Sequence, residues 1–310
     1  MAYDLKNKLV IGVSSCTLFD LRMENQIFEE QGKEAYYLYQ TEHEKDICEP
    51  GPAFSFVKSL LELNKSREAN TVEVILMSRN RAEAALRLFH SIAYYGLNIT
   101  RSVFSSGAPL SPYFQAFGVD LFLSENELDV RNAMLEGIAA GFVSKSRIYH
   151  LQNEKENQVR FAFDGDAVLF SDDSERVYQK RGLETFERYE TYYANIPMKE
   201  GPFLTLLRKL IKIKRLSIYN DSMIRTALVT ARSAPAHERV IRTMRAWDVE
   251  TDETFFLGGV QKKEILKAFD ASIFFDDQKI HIDAASEAVL SAQVFRVREM
   301  PDLKYVKMVV

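Results

Sequence analysis

The chain repeats itself once, and this constrains its fold more than any other feature of the sequence. With residues 8–52 written above 158–202, Gly32 falls on Gly182, Glu34 on Glu184, Tyr39 on Tyr189 and Thr41 on Thr191. Gly51-Pro52 then falls on Gly201-Pro202. After the next helical stretch the offset lengthens slightly and holds. VILMSRN (74–80) lies over TALVTAR (226–232), Ser106-Gly107 over Gly258-Gly259, and YFQAFGVDLFLSEN (113–126) over ILKAFDASIFFDDQ (265–278). Identities are few, but the polarity pattern agrees in the same order along both stretches. We read an internal duplication, with units 1–148 and 156–310. The polar segment SKSRIYHLQNEKENQ (144–158) is the expected connection.

Each unit has the same grammar. An apolar run (VIGV; FAF, then AVLF) reads as a strand. A charged helical stretch, Gly-Pro and an amphipathic helix follow (AFSFVKSLLELN; FLTLLRKLIKIK). A second apolar strand (EVILM; TALV) precedes a helix (EAALRLFHSIAYYG; HERVIRTMRAWD). A third (VDLFL; ASIFF) precedes another helix (VRNAMLEGIAA; DAASEAVLSA). Continuous apolar strands alternating with helices predict an α/β fold, with parallel sheets covered on both faces. Ligands of such sheets sit beyond the carboxyl ends of the strands.

Composition narrows the partners. A hydrophobic fraction of 46% with 27% charged residues is that of a soluble globular protein. The net charge of −4 argues against coating nucleic acid or an anionic membrane. Cys16 and Cys48 form no CxxC pair and no disulfide framework, which fits a reducing cytoplasm. The apolar run in MAYDLKNKLVIGV is too short for a signal segment, and no stretch approaches the ~20 apolar residues of a membrane helix. A small-molecule substrate in the cytoplasm is therefore expected, with no nucleic acid and no membrane. A homo-oligomer is compatible with these features.

Chemistry-bearing residues collect at the strand ends of the second unit. The first strand ends in Asp164-Gly165-Asp166. Residues two apart in extended chain point to one side, so both carboxylates can face one spot, with Gly165 permitting close approach. The alternative is a turn with two solvated acids. The second strand ends in Thr230-Ala231-Arg232-Ser233, whose hydroxyls and backbone N–H groups suit phosphate oxygens. Helix capping by Thr230 or Ser233, and a surface role for Arg232, are the alternatives. The third strand ends in Asp276-Asp277, which suits a hard cation or simply a helix N-terminus. Lys262-Lys263 follow Gly258-Gly259 at the head of a helix, where a solvated lysine pair is the plain alternative. Together these supply what phosphoryl transfer needs: a nucleophile, an acid for the leaving oxygen, cations, and donors for the equatorial oxygens.

The first unit lacks this set. Ser14 stands for Asp164, Cys16 for Asp166, Leu110 for Lys262, and Ser124-Glu125 for Asp276-Asp277, while Ser78 stands opposite Thr230. One active site in the second unit is expected, with a degenerate first unit kept for shape or substrate contact.

Asp164-Gly165-Asp166-Ala167-Val168, Thr230, Lys262 and Asp276-Asp277 resemble the four-motif set of the haloacid dehalogenase-like (HAD) phosphatases. PGPAF (50–54), FDGDAVLFSD (163–172), LVTARSA (228–234) and IFFDDQ (273–278) resemble the cytosolic 5′-nucleotidase I family more closely. The resemblance implies a Rossmann-like HAD fold and Mg²⁺-dependent hydrolysis of nucleoside 5′-monophosphates, AMP typically, through an aspartyl-phosphate. It implies Asp164 as nucleophile and Asp166 as general acid and base, with Thr230 and Lys262 holding the phosphoryl group. Gly165, Ala231, Arg232 and Ser233 then line the substrate. Asp276 binds the metal with Asp164 and the Asp166 carbonyl, and Asp277 supports it. A small cap is expected around 172–222. Tyr178, Phe186, Tyr189, Tyr192, Tyr193 and Phe203 are candidates to stack on a purine, with core packing as the alternative. His237 is a weaker candidate for substrate contact. A phosphatase of sugar phosphates and a non-catalytic nucleotide sensor are the rival functions.

Overall fold

A computed structural model describes residues 3–65, 71–144, 158–216 and 223–296. The expected connection between units lies largely outside these residues.

In the first unit the order is β1 (Leu9–Ser14), α1 (Ser15–Leu18), α2 (Arg22–Gln31), α3 (Lys33–Glu42), α4 (Phe54–Glu62), β2 (Val72–Ser78), α5 (Leu86–Tyr94), β3 (Arg101–Phe104), α6 (Ser111–Ala116), β4 (Leu121–Ser124), α7 (Glu127–Leu135) and β5 (Ala139–Val143). The second unit runs β6 (Val159–Phe163), α8 (Asp173–Tyr192), α9 (Leu204–Leu216), β7 (Ile224–Thr230), α10 (His237–Ala246), β8 (Glu253–Phe256), α11 (Lys262–Phe269), β9 (Ile273–Asp276), α12 (Lys279–Ala285) and β10 (Ser291–Gln293).

The strands form one ten-stranded sheet in the order β3-β2-β1-β4-β5-β10-β9-β6-β7-β8. Read from either edge inward, the two halves have the same strand order. Every neighbouring pair is parallel except β5 and β10, which run antiparallel and join the halves. Each half carries five strands where the apolar runs indicated three. The missed edge strands β3 and β8 are four residues long and mostly half-buried, so they lack a continuous apolar run. The missed β5 and β10 begin inside segments read as helix. The helices stop at Leu135 and Ala285, and the small apolar residues that follow enter the sheet.

Burial follows sequence pattern closely in the central strands. All seven residues of β2 are buried, and β1 is buried through Val13, as a strand covered on both faces requires. The halves also share one hydrophobic core from Leu9 to Phe295. Helix α4 of the first half packs against β6 of the second, and α9 of the second against β1 of the first. The Phe56 ring meets the Phe161 ring edge-on at 5.6 Å. At the seam, a Cβ on Gly141 would lie 2.6 Å from that of Ala292, so only glycine lets β5 and β10 approach.

Two pairs of glycines at matching positions of the halves have structural reasons. Gly32 separates α2 from α3 at φ 83°, ψ 179°, and Gly182 kinks α8 at φ 77°, ψ 178°. This backbone region favours glycine, and each kink folds a helical pair back on itself. Gly51 and Gly201 solve a spacing problem instead. A Cβ on Gly51 would lie 2.7 Å from the Leu18 carbonyl carbon, and one on Gly201 2.4 Å from the Val168 oxygen.

Of the cap expected around 172–222, residues 217–222 lie outside the described residues. Helix α9 belongs to the helical cover of the sheet, with Leu206, Leu207 and Leu210 buried in the core. Only α8 stands in the interval between the Asp164 loop and that cover.

Candidate active site

Two strand ends bring the acids together. Asp164 directly follows β6, and its N–H donates to the Phe275 carbonyl at 2.8 Å, fixing the loop against β9. Asp276 ends β9 and Asp277 follows it. Carboxylate oxygens of Asp164, Asp276 and Asp277 all lie within 4.8 Å of one another, and all three residues are buried. The Asp166 carboxylate is not a member of this group.

Lys262 opens α11 and reaches between the acids. Its Nζ donates to Asp164 Oδ1 and to Asp276 Oδ2, each at 2.6 Å. Lys263 instead points outward to Glu287. Asp276 also accepts from the Gln278 N–H at 2.8 Å and faces the His281 ring at 3.1 Å. Asp277 accepts from Arg296 Nε at 2.6 Å. Thr230, the last residue of β7, is buried and stands across from Gly165, where an added Cβ would come within 3.2 Å of its hydroxyl. Gly165 thus lets the Asp164 loop pack closely against Thr230 and the Phe170 ring.

The cluster is short of positive charge. Burial pushes the Asp164 carboxyl well above the ordinary carboxylate range; Lys262 opposes this and the Asp276 charge adds to it. Burial likewise pushes Asp277 up to about 6, against Arg296. Burial alone would raise Asp276, but Lys262 and His281 outweigh it and hold it below the usual value. Lys262 is raised: burial would lower it, and the two facing carboxylates prevail. All-oxygen donors, buried and under-neutralised, are a chemistry that suits a hard divalent cation.

Asp166 has a different partner. Arg232 Nε and Nη2 donate to its two carboxylate oxygens at 2.8 Å each, a bidentate pair. The third guanidinium nitrogen donates to Glu190. Glu190 also accepts from Arg239 Nη1 at 3.0 Å and from the Ser174 hydroxyl at 2.7 Å. Arg232 is therefore not a surface residue, and its nitrogens are turned to acids rather than toward open space beside Thr230. Ala231 and Ser233 flank it and are exposed.

Glu190, Arg239 and Arg296 were not apparent as site residues in the sequence. Glu190 sits in the last turn of α8 and Arg296 lies beyond the last motif, so neither carries a local signal. The aromatic candidates divide. Phe203 is core, packed on Phe275 at 4.7 Å, and Phe186 is buried beside Tyr178. Tyr178 and Tyr192 are exposed. His237 opens α10 with its ring near Phe256, and its buried Nδ1 has no hydrogen-bond partner.

The family model described as 5′-nucleotidase matches residues 1–299. Human cytosolic 5′-nucleotidase 1B is 38% identical over 294 residues, covering 90% of this chain and 47% of the human protein. The chain thus spans about half the length of that curated relative.

Proposed function

This chain belongs to the 5′-nucleotidase family, and from that membership we propose that it hydrolyses nucleoside 5′-monophosphates, AMP first among them, in the cytoplasm. Among the described residues no helix is long and apolar enough to cross a membrane. The observation that carries the reading is the buried Lys262 ammonium between Asp164 and Asp276, beside Asp277.

The donor set fits Mg²⁺, which Asp164, Asp276 and Asp277 would hold, with the Asp166 carbonyl as the family resemblance implies. When bound, the ion supplies the positive charge the cluster lacks and favours an anionic carboxylate beside an anionic phosphate. Asp164 attacks phosphorus, and the bond to the ribose 5′-oxygen breaks. Asp166 gives a proton to that oxygen, then takes one from the water that cleaves the aspartyl-phosphate. Lys262 and the Thr230 hydroxyl hold equatorial phosphoryl oxygens. Ala231 and Ser233 flank the phosphoryl group. The matching strand order of the halves supports descent by duplication, with the first half having lost its acids.

Phosphate release from AMP, with and without Mg²⁺ and beside Asp164→Asn, tests the reading. Metal-dependent release by the wild type and none by the variant is expected. Release from sugar phosphates but not from any nucleoside monophosphate would reject the substrate. Ligand binding without turnover of any phosphomonoester would reject the chemistry in favour of a sensor.

A further inference from the structure

A cleft of about 370 Å³ runs along the seam between the halves. Met134, in the last turn of α7, and Ile138, just before β5, line it from the first half. Ala167 and Asp172, from the loop after Asp166, line it from the second, with Phe295 and Arg296. Its volume lies in the range of small-molecule sites, roughly 300–1,000 Å³.

The cleft adjoins the carboxylate cluster at two points. Ala167 is the residue after Asp166, and Arg296 lines the cleft while bonding Asp277 at 2.6 Å. Strand direction explains why the first half is there. Because β5 and β10 are antiparallel, the strand ends of the two halves lie at opposite ends of the sheet. Ser14, Ser78 and Ser124, which correspond to the acids and Thr230, therefore face away from Asp164. The start of β5, however, lies at the catalytic end, and its turn reaches the cleft. Its lining combines the apolar Met134, Ile138 and Phe295 with the charged Asp172, Glu200 and Arg296. The apolar residues suit a flat heteroaromatic ring, and the charged ones suit hydroxyls.

We infer that this cleft takes the nucleoside part of the substrate, and that the first half supplies its second wall. The inference rests on the reading that the chain hydrolyses nucleoside monophosphates. The test compares AMP with p-nitrophenyl phosphate, which has no nucleoside, in the full chain and in Ile138→Trp and Ile138→Ala. Filling the cleft with tryptophan should lower the ratio of kcat/KM for AMP to that for p-nitrophenyl phosphate by about 10- to 100-fold, the range of a lost or blocked apolar contact. Ile138→Ala should lower it by about threefold to tenfold, and serves if the larger side chain prevents folding. Adenosine should inhibit p-nitrophenyl phosphate hydrolysis by the wild type and do so more weakly in both variants. An unchanged ratio in both variants, or no inhibition by adenosine, overturns the inference. Inhibition by adenosine that the variants weaken, in a wild type that releases no phosphate from any nucleoside monophosphate, would overturn the proposed activity while leaving the cleft as a nucleoside site.

Discussion

Arg232 holds both carboxylate oxygens of Asp166 at 2.8 Å, and both residues are replaced at the corresponding positions of the first half, by Asn80 and Cys16. The buried support behind them persists in altered form. In the second half Arg239 of α10 pairs with Glu190, beside Ser174. In the first, Arg87 of α5 pairs with Glu24, the counterpart of Ser174, while Gln40 stands where Glu190 does. In each half a buried arginine of α5 or α10 ties the kinked helical segment to its neighbouring helix, and in the half with the acid cluster Arg232 adds a second pair to Glu190 and the pair to Asp166.

Arg232→Lys keeps a charge but loses the planar two-point grip. Turnover of AMP should fall by about 10- to 100-fold, as expected for a misplaced catalytic group, and Asp166→Asn by ~10²–10⁴. If Arg232 works through Asp166, the double variant should be little worse than Asp166→Asn alone. Additive losses would assign Arg232 a separate role.

Lys262→Met should be more damaging to stability than Asp164→Asn. Removing the ammonium strands two buried carboxylates, a change of about 3–5 kcal/mol, whereas the asparagine removes a charge that burial already disfavours. Urea unfolding with a metal chelator present measures the difference. Both variants should release almost no phosphate.

Gly201→Ala forces a methyl group to 2.4 Å from the Val168 oxygen, where backbone must yield. A loss of about 1–3 kcal/mol or more is expected in thermal or urea unfolding. Gly51→Ala should behave alike, because its neighbours at 2.7–2.8 Å are also backbone atoms.

Asp252 gives a pH signature away from the active site. Burial alone would raise its carboxyl; Lys214, with the Thr226 N–H and hydroxyl, outweighs this and holds it below the ordinary value of 3.8. A depressed carboxyl stabilises the fold above its unfolded pKa, and that contribution disappears as pH falls through the folded value. Asp252→Asn should therefore lose about 1 kcal/mol near neutral pH, a partly screened charge-assisted bond. The gap from wild type should close progressively below pH 3.8. A constant gap down to full acid unfolding would show that charge is not its source.

Ser14→Asp with Cys16→Asp, placed in Asp164→Asn, should not regain activity. Leu110 is buried where Lys262 stands in the other half, and Ser124-Glu125 replace the paired acids, so the new carboxylates gain no cation. Measurable phosphate release would mean the first half retains more of the site than its residues indicate.

Much of this protein was readable from its residues in order. Continuous apolar runs announced β1, β2, β4, β6, β7 and β9, because a strand covered on both faces needs no alternation. Acids directly after such runs marked Asp164, Asp166, Asp276 and Asp277, because strand ends are where a parallel sheet leaves backbone and side chains open to ligand. The paired Gly32/Gly182 and Gly51/Gly201 marked the repeat, though only the structure shows them as kinks and close contacts. These are local effects, set by each residue and its near neighbours.

Tertiary structure decided the rest. Nothing in LSAQV or GIAAGFV says that β10 and β5 pair antiparallel, yet that pairing joins ten strands into one sheet and turns the first half's strand ends away from the acids. Glu190, Arg239 and Arg296 look like ordinary surface charges until folding buries them against partners distant in sequence. A buried charge is defined by what it meets, and the chain carries the identities of the partners without stating which will meet.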